Sequence, residues 1–204
     1  MEFKRLILFF GALSALAGLL AGCETPAQQL DPQAANFIQP GVTTRADIEK
    51  AYGQPNQVIQ AGNGRTLLIW QLVYWAAPVR HSFEPTEDST ARALSVLVGD
   101  NNRIIKKLTS DHVFRTFIGA GTVVVGQEPQ PEVFERIKVH QSTRAQVVAM
   151  LGEPVMETLN TGGDTVLDWP YEIANRIGGK TFELLRVVIG PDEVVKSTHT
   201  VNTR

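Results

Sequence analysis

The sequence predicts an α+β protein made of two tandem modules, each of short helices packed on a three- or four-stranded antiparallel sheet. Three observations carry this expectation. A twelve-residue phrase occurs twice, as Thr44-Arg-Ala-Asp-Ile-Glu-Lys-Ala-Tyr-Gly-Gln-Pro55 and as Thr143-Arg-Ala-Gln-Val-Val-Ala-Met-Leu-Gly-Glu-Pro154. The same spacing holds further on, where Gly64, Thr66, Leu68 and Trp70 fall on Gly163, Thr165, Leu167 and Trp169. Strand-like runs and a hairpin then follow each phrase. Solenoid units run roughly 20 to 50 residues, and the step from Thr44 to Thr143 is far longer. It reads as a duplicated domain.

Residues 1–22 read as a signal peptide rather than part of the fold. Lys4 and Arg5 form a positive start, and the apolar run from Leu6 to Leu20 falls short of the roughly 20 residues that span a bilayer. The run ends in Leu20-Ala21-Gly22-Cys23, which resembles the lipobox of bacterial lipoproteins. Cys23 is the only cysteine, so it is the expected lipidation site, and an internal disulfide is excluded. Two or three acyl chains anchor a protein stably where one is marginal. With Glu24 after the cysteine, the expected location is the periplasmic face of the outer membrane. Residues 23–32 (CETPAQQLDP) are polar and proline-bearing and read as a tether, because they bury too little apolar area to offset ordering entropy.

Module 1 is expected over residues 33–111. Thr44 stands as an N-cap with Asp47 three residues on, the spacing of a capping box. Ile48, Ala51 and Tyr52 share one face of the helix. Gly53 suits a left-handed C-terminal stop, and Pro55 prevents continuation. Thr66–Tyr74 reads as a strand, and Leu94–Val98 turns at Gly99–Asn102 into Arg103–Leu108. Between those strands lies a polar insertion, 76–91. An apolar connector follows over 112–128, in which 113–126 (VFRTFIGAGTVVVG) reads as an added strand joining the modules. Module 2 (129–204) repeats the plan with Thr143, Gln146, Val147, Met150, Leu151, Gly152 and Pro154, a strand over 165–171, and a hairpin through Gly190-Pro191-Asp192. Pro170 lacks a ladder donor and favours an edge position.

These residues resemble the BamE (SmpA/OmlA) family of outer-membrane assembly lipoproteins. The resemblance runs through Pro40–Ala46, Gly53-Gln54-Pro55, Trp70–Tyr74 and Gly99-Asp100-Asn101. It returns in Ser142–Ala145, Gly152-Glu153-Pro154, Trp169-Pro170-Tyr171 and Gly190-Pro191-Asp192, with the Cys23 lipobox besides. It implies helix-on-sheet sandwiches and an accessory role beside the machinery that assembles outer-membrane barrels. Tandem copies are also similar to the β-lactamase-inhibitor-protein fold, where two modules present a concave sheet to an enzyme.

No enzyme chemistry assembles in the sequence. His81, His112, His140 and His199 have no metal-ligand spacing and read as surface or turn residues. No serine lies in a nucleophile elbow, and Gly119-Ala-Gly121 lacks the lysine of a phosphate loop. No metal or cofactor is expected. With 19 basic and 21 acidic residues and no basic tract, nucleic acid is excluded as a partner. Trp70 and Trp169 read as core. Trp75 has no counterpart in the second copy, so Tyr74, Trp75 and His81 form the candidate partner-binding surface. The expected function is a non-enzymatic, membrane-anchored scaffold or accessory factor that binds an envelope protein. The alternatives are a regulator of a periplasmic enzyme and a binder of an envelope lipid or small ligand.

Overall fold

A computed structural model describes residues 30–31, 33–74, 86–119, 122–128, 130–175 and 180–203. Cys23, the signal peptide and most of the tether therefore lie outside the described residues, as do Trp75 and His81. A 3-10 turn (Gln33–Phe37) leads into α1 (Arg45–Tyr52), β1 (Gln57–Gln60), β2 (Thr66–Tyr74), β3 (Thr86–Val98), β4 (Ile104–Gly119) and β5 (Thr122–Val125). Then come α2 (Pro131–Phe134), α3 (Arg144–Leu151), β6 (Met156–Leu159), β7 (Thr165–Asn175), β8 (Lys180–Ile189) and β9 (Val195–Thr203).

The expected α+β class with two separate helix-on-sheet modules is overturned. Strands make up 52% and helices 16% of the described residues, and the strands form one curled antiparallel sheet in the order β1-β2-β3-β4-β5-β7-β8-β9, with β6 pairing β7 beside that path. The physical cause is β4. It runs for 16 residues instead of stopping at the end of its hairpin. Its last four residues, Thr116–Gly119, pair with β5, and β5 pairs on its other side with Thr122↔Asn175 through Val125↔Glu172 of β7. The segment 113–126 is thus β4's end plus a bridging strand, and it fuses two would-be sheets into one.

The local signals of the repeat are realised in both copies. Thr44 and Thr143 each cap a helix with a complete capping box to Asp47 and Gln146. Gly53 and Gly152 end the helices at positive φ, the backbone region glycine enters without steric cost. Helices of eight residues are unstable alone, and each is held by packing on the outer face of the sheet. Ile48 and Tyr52 join Leu68, Trp70, Leu94, Val96 and Val98 in one cluster; Val147 joins Leu167, Leu185, Val187 and Ile189 in the other. Each fully buried aliphatic side chain contributes about 1.5–3 kcal/mol. The hairpins repeat down to a register shift, at Leu97/Val98 and at Val188/Ile189. Pro170 falls between the stretches of β7 that pair with β6 (165–168) and β5 (172–175), a gap in the ladder where a missing donor costs nothing.

The inner face of the curl holds the junction. The free edge of β6 lies on β3 and β4: Leu159 N donates to Ser95 Oγ at 2.9 Å, and Ser110 Oγ donates to Glu157 O at 3.1 Å. Leu159 packs with Leu67, Ile69 and Leu97.

Candidate binding site

The two copies fill the space beside their repeated tryptophan differently. Trp70 and Trp169 play the same local role, since each indole N–H donates to the carbonyl of the glycine ending the preceding helix, at 3.1 Å to Gly53 and 3.2 Å to Gly152. In the first copy Tyr52 lies against Trp70, with ring centroids 6.4 Å apart, and Phe37 stacks on Tyr52 at 6.2 Å. Leu30 and Ile38 complete a closed core, and Trp70 is buried. In the second copy Leu151 stands in place of Tyr52 and Arg136 in place of Phe37. Trp169 is only half-buried, and a cavity of about 470 Å³ opens beside it.

Apolar side chains make most of its wall: Phe114, Val133, Phe134, Met150, Leu151, Val155, Trp169 and Leu185. Arg115, Glu128 and Glu153 stand among the lining groups and are exposed, which gives the mouth two carboxylates and one guanidinium. Nearby, burial, reinforced by Glu128 and Glu183, holds the Tyr171 hydroxyl above its usual pKa. The walls come from β4, from the segment after β5, from α2 and α3, and from β7 and β8, so the cavity lies where the two halves meet. Its volume is in the range of small-ligand and side-chain pockets, about 300–1,000 Å³.

A second feature adjoins it. Glu157 is buried at 2.6 Å from Arg144 Nη2 and 3.3 Å from His112 Nε2. Burial works to raise its pKa, but the hydrogen bond with His112 and the charge of Arg144 prevail, and the carboxyl is held below its ordinary range. The cluster ties α3 to β6 and β4.

Of the residues expected to form a binding surface, Trp75 and His81 are outside the described residues, and Tyr74 is the last residue of β2, opposite Thr90. Trp169, expected as core, is packed against the buried cluster of the second copy and also lines the cavity. His112, expected at the surface, is drawn into the Glu157 cluster; His140 occupies a turn at positive φ, and His199 is exposed on β9. Among the described residues no group of three or more histidine, cysteine, aspartate or glutamate side chains is placed to hold a metal. No protein-family model, no curated protein and no solved structure matches the chain.

Proposed function

We propose that this chain is a non-enzymatic lipoprotein, held by lipid on Cys23 at the periplasmic face of the outer membrane, that serves envelope assembly by binding another envelope protein. The observation that supports a binding role is the cavity beside Trp169. An apolar pocket with a half-open indole and a polar rim is the form that receives a partner's anchoring side chain, and such anchors dominate interface energetics. The acidic mouth favours an aromatic or aliphatic side chain flanked by a basic residue. Gripping an enzyme with one joint concave sheet has less support, because β6 covers the inner face of the first half.

Replacing Met150 with a photoreactive phenylalanine analogue and irradiating intact cells tests the proposal. The expected product is a protein adduct of defined mass that disappears when Leu151→Tyr fills the cavity. An adduct of lipid mass would move the assignment to the ligand-binding alternative. Protein adducts indifferent to Leu151→Tyr would overturn the role of the cavity.

A further inference from the structure

β1 and β6 are the same strand of the repeat, yet they meet opposite fates. Gln57–Gln60 stands where Met156–Leu159 stands, four residues before the same turn and paired in the same register with β2 and β7. The outer edge of β6 is laid on the inner face of β3–β4 and is satisfied by Ser95 and Ser110. All four residues of β1 are exposed, Val58 by 47% and Ile59 by 42%. Among the described residues no strand pairs with the other edge of β1.

The receiving face is repeated too. The pairing of β8 with β9 reproduces that of β3 with β4, so Arg186 takes the position of Ser95, Val201 that of Ser110 and Thr203 that of His112. Among the described residues no strand lies on this second face in the place where β6 covers the first. Arg186, His199 and Val201 are exposed on it, Val201 by 47%.

The side chains at the two contacts change together. Within the chain Glu157 meets Ser110 and His112 and pairs with Arg144. At the repeated positions Glu157 becomes Val58, Ser110 becomes Val201 and His112 becomes Thr203. Arg45, the counterpart of Arg144, turns instead to Glu49 at 2.7 Å. A polar contact inside the chain thus corresponds to two exposed valines outside it.

We infer that β1 of one copy of this chain docks on the β8–β9 inner face of a second copy, bringing Val58 to Val201 as β6 is brought to β3–β4 within the chain. The contact joins two different surfaces, so it is heterologous and leaves a free surface at each end for further copies.

The test uses full-length, lipidated chains in isolated envelopes, with Val58→Cys and Val201→Cys variants carrying different tags and a short flexible bismaleimide as crosslinker. Both sites are exposed, so neither change disturbs the core. Co-expression of the two variants is expected to give a mixed-tag dimer several-fold above either variant alone and above the parent chain, whose only cysteine is Cys23. The double variant is expected to give a ladder of higher species. Homodimers of Val58→Cys as abundant as the mixed dimer would overturn the inference in favour of β1-to-β1 pairing. A mixed dimer no stronger than the parent background would overturn it outright.

Discussion

Leu151→Tyr rebuilds in the second copy the ring that closes the first, and its consequences can be worked from the structure. Tyr52 is buried between Phe37 and Trp70, and the corresponding volume beside Trp169 is part of a cavity of about 470 Å³. Leu151 lines that cavity, so the added ring is directed into open space. Cavity filling commonly adds about 0.5–2 kcal/mol. In a chain of this size each kcal/mol raises Tm by roughly 2–4 °C, so a rise of about 1–8 °C is expected. The cavity should also stop admitting apolar probes. The assay is thermal unfolding of the chain starting at residue 23 with Cys23→Ser, followed by circular dichroism, together with fluorescence of the neutral dye N-phenyl-1-naphthylamine. Tyr52→Leu is the reciprocal: it should cost about 1–3 kcal/mol by opening a cavity and should create a second dye site beside Trp70. A Leu151→Tyr protein that melts lower and binds dye like its parent would refute the equivalence of the two spaces.

Three further outcomes follow from particular contacts. Tyr52 Oη is buried with no hydrogen-bond partner among the described residues, so Tyr52→Phe should gain about 1 kcal/mol in urea unfolding; a loss of that size would show that the hydroxyl is satisfied. Gly126 has φ +74°, and a Cβ there would overlap the carbonyl oxygen of Pro170, so Gly126→Ala should cost about 2 kcal/mol or more, measured the same way. Glu157→Gln leaves Arg144 and His112 facing an uncharged group; a fully buried pair would cost about 3–5 kcal/mol to break, and the 37% exposure of the Arg144 side chain lowers the expectation to roughly 1–3. Because the Glu157 pKa is depressed in the fold, its stabilisation is complete above the ordinary carboxyl value near 4.5 and is lost as pH falls through the folded value. Tm of the parent should therefore drop more steeply below about pH 4.5 than Tm of Glu157→Gln, and parallel curves would sink the assignment.

The elements legible in the sequence are those whose physics is local. Thr44 with Asp47 and Thr143 with Gln146 announce capping boxes within four residues, and Gly53 and Gly152 announce the stops. The strand within 113–126 was legible as well, from its β-branched run. Its consequence was not. Whether β5 separates two sheets or fuses them depends on a register between Thr122–Val125 and Glu172–Asn175, set by residues some fifty positions away. The cavity was illegible for a related reason. The copies differ beside their tryptophans at several positions at once: Leu151 and Arg136 replace the rings of Tyr52 and Phe37, while Phe134 replaces Ala35 and lines the cavity. Nothing local marks Glu157 as buried, since its counterpart Val58 is exposed.

The cavity and the Glu157 cluster share a helix, so the ion cluster at the junction braces one wall of the cavity. α3 carries Arg144 at its first turn and Met150 and Leu151 at its last, and Glu157 fixes the first turn against His112 of β4. Phe114 and Arg115 of the same strand line the cavity. Both walls are therefore held by one carboxylate at distances of 2.6 and 3.3 Å. In the first copy the side chain of the corresponding Arg45 pairs within its own helix, with Glu49, and the space beside Trp70 is closed by rings instead. An open cavity needs walls braced from outside because it lacks the filling that would prop them from within. The buried ion cluster and the empty space are two sides of one arrangement, present in the second copy and absent from the first.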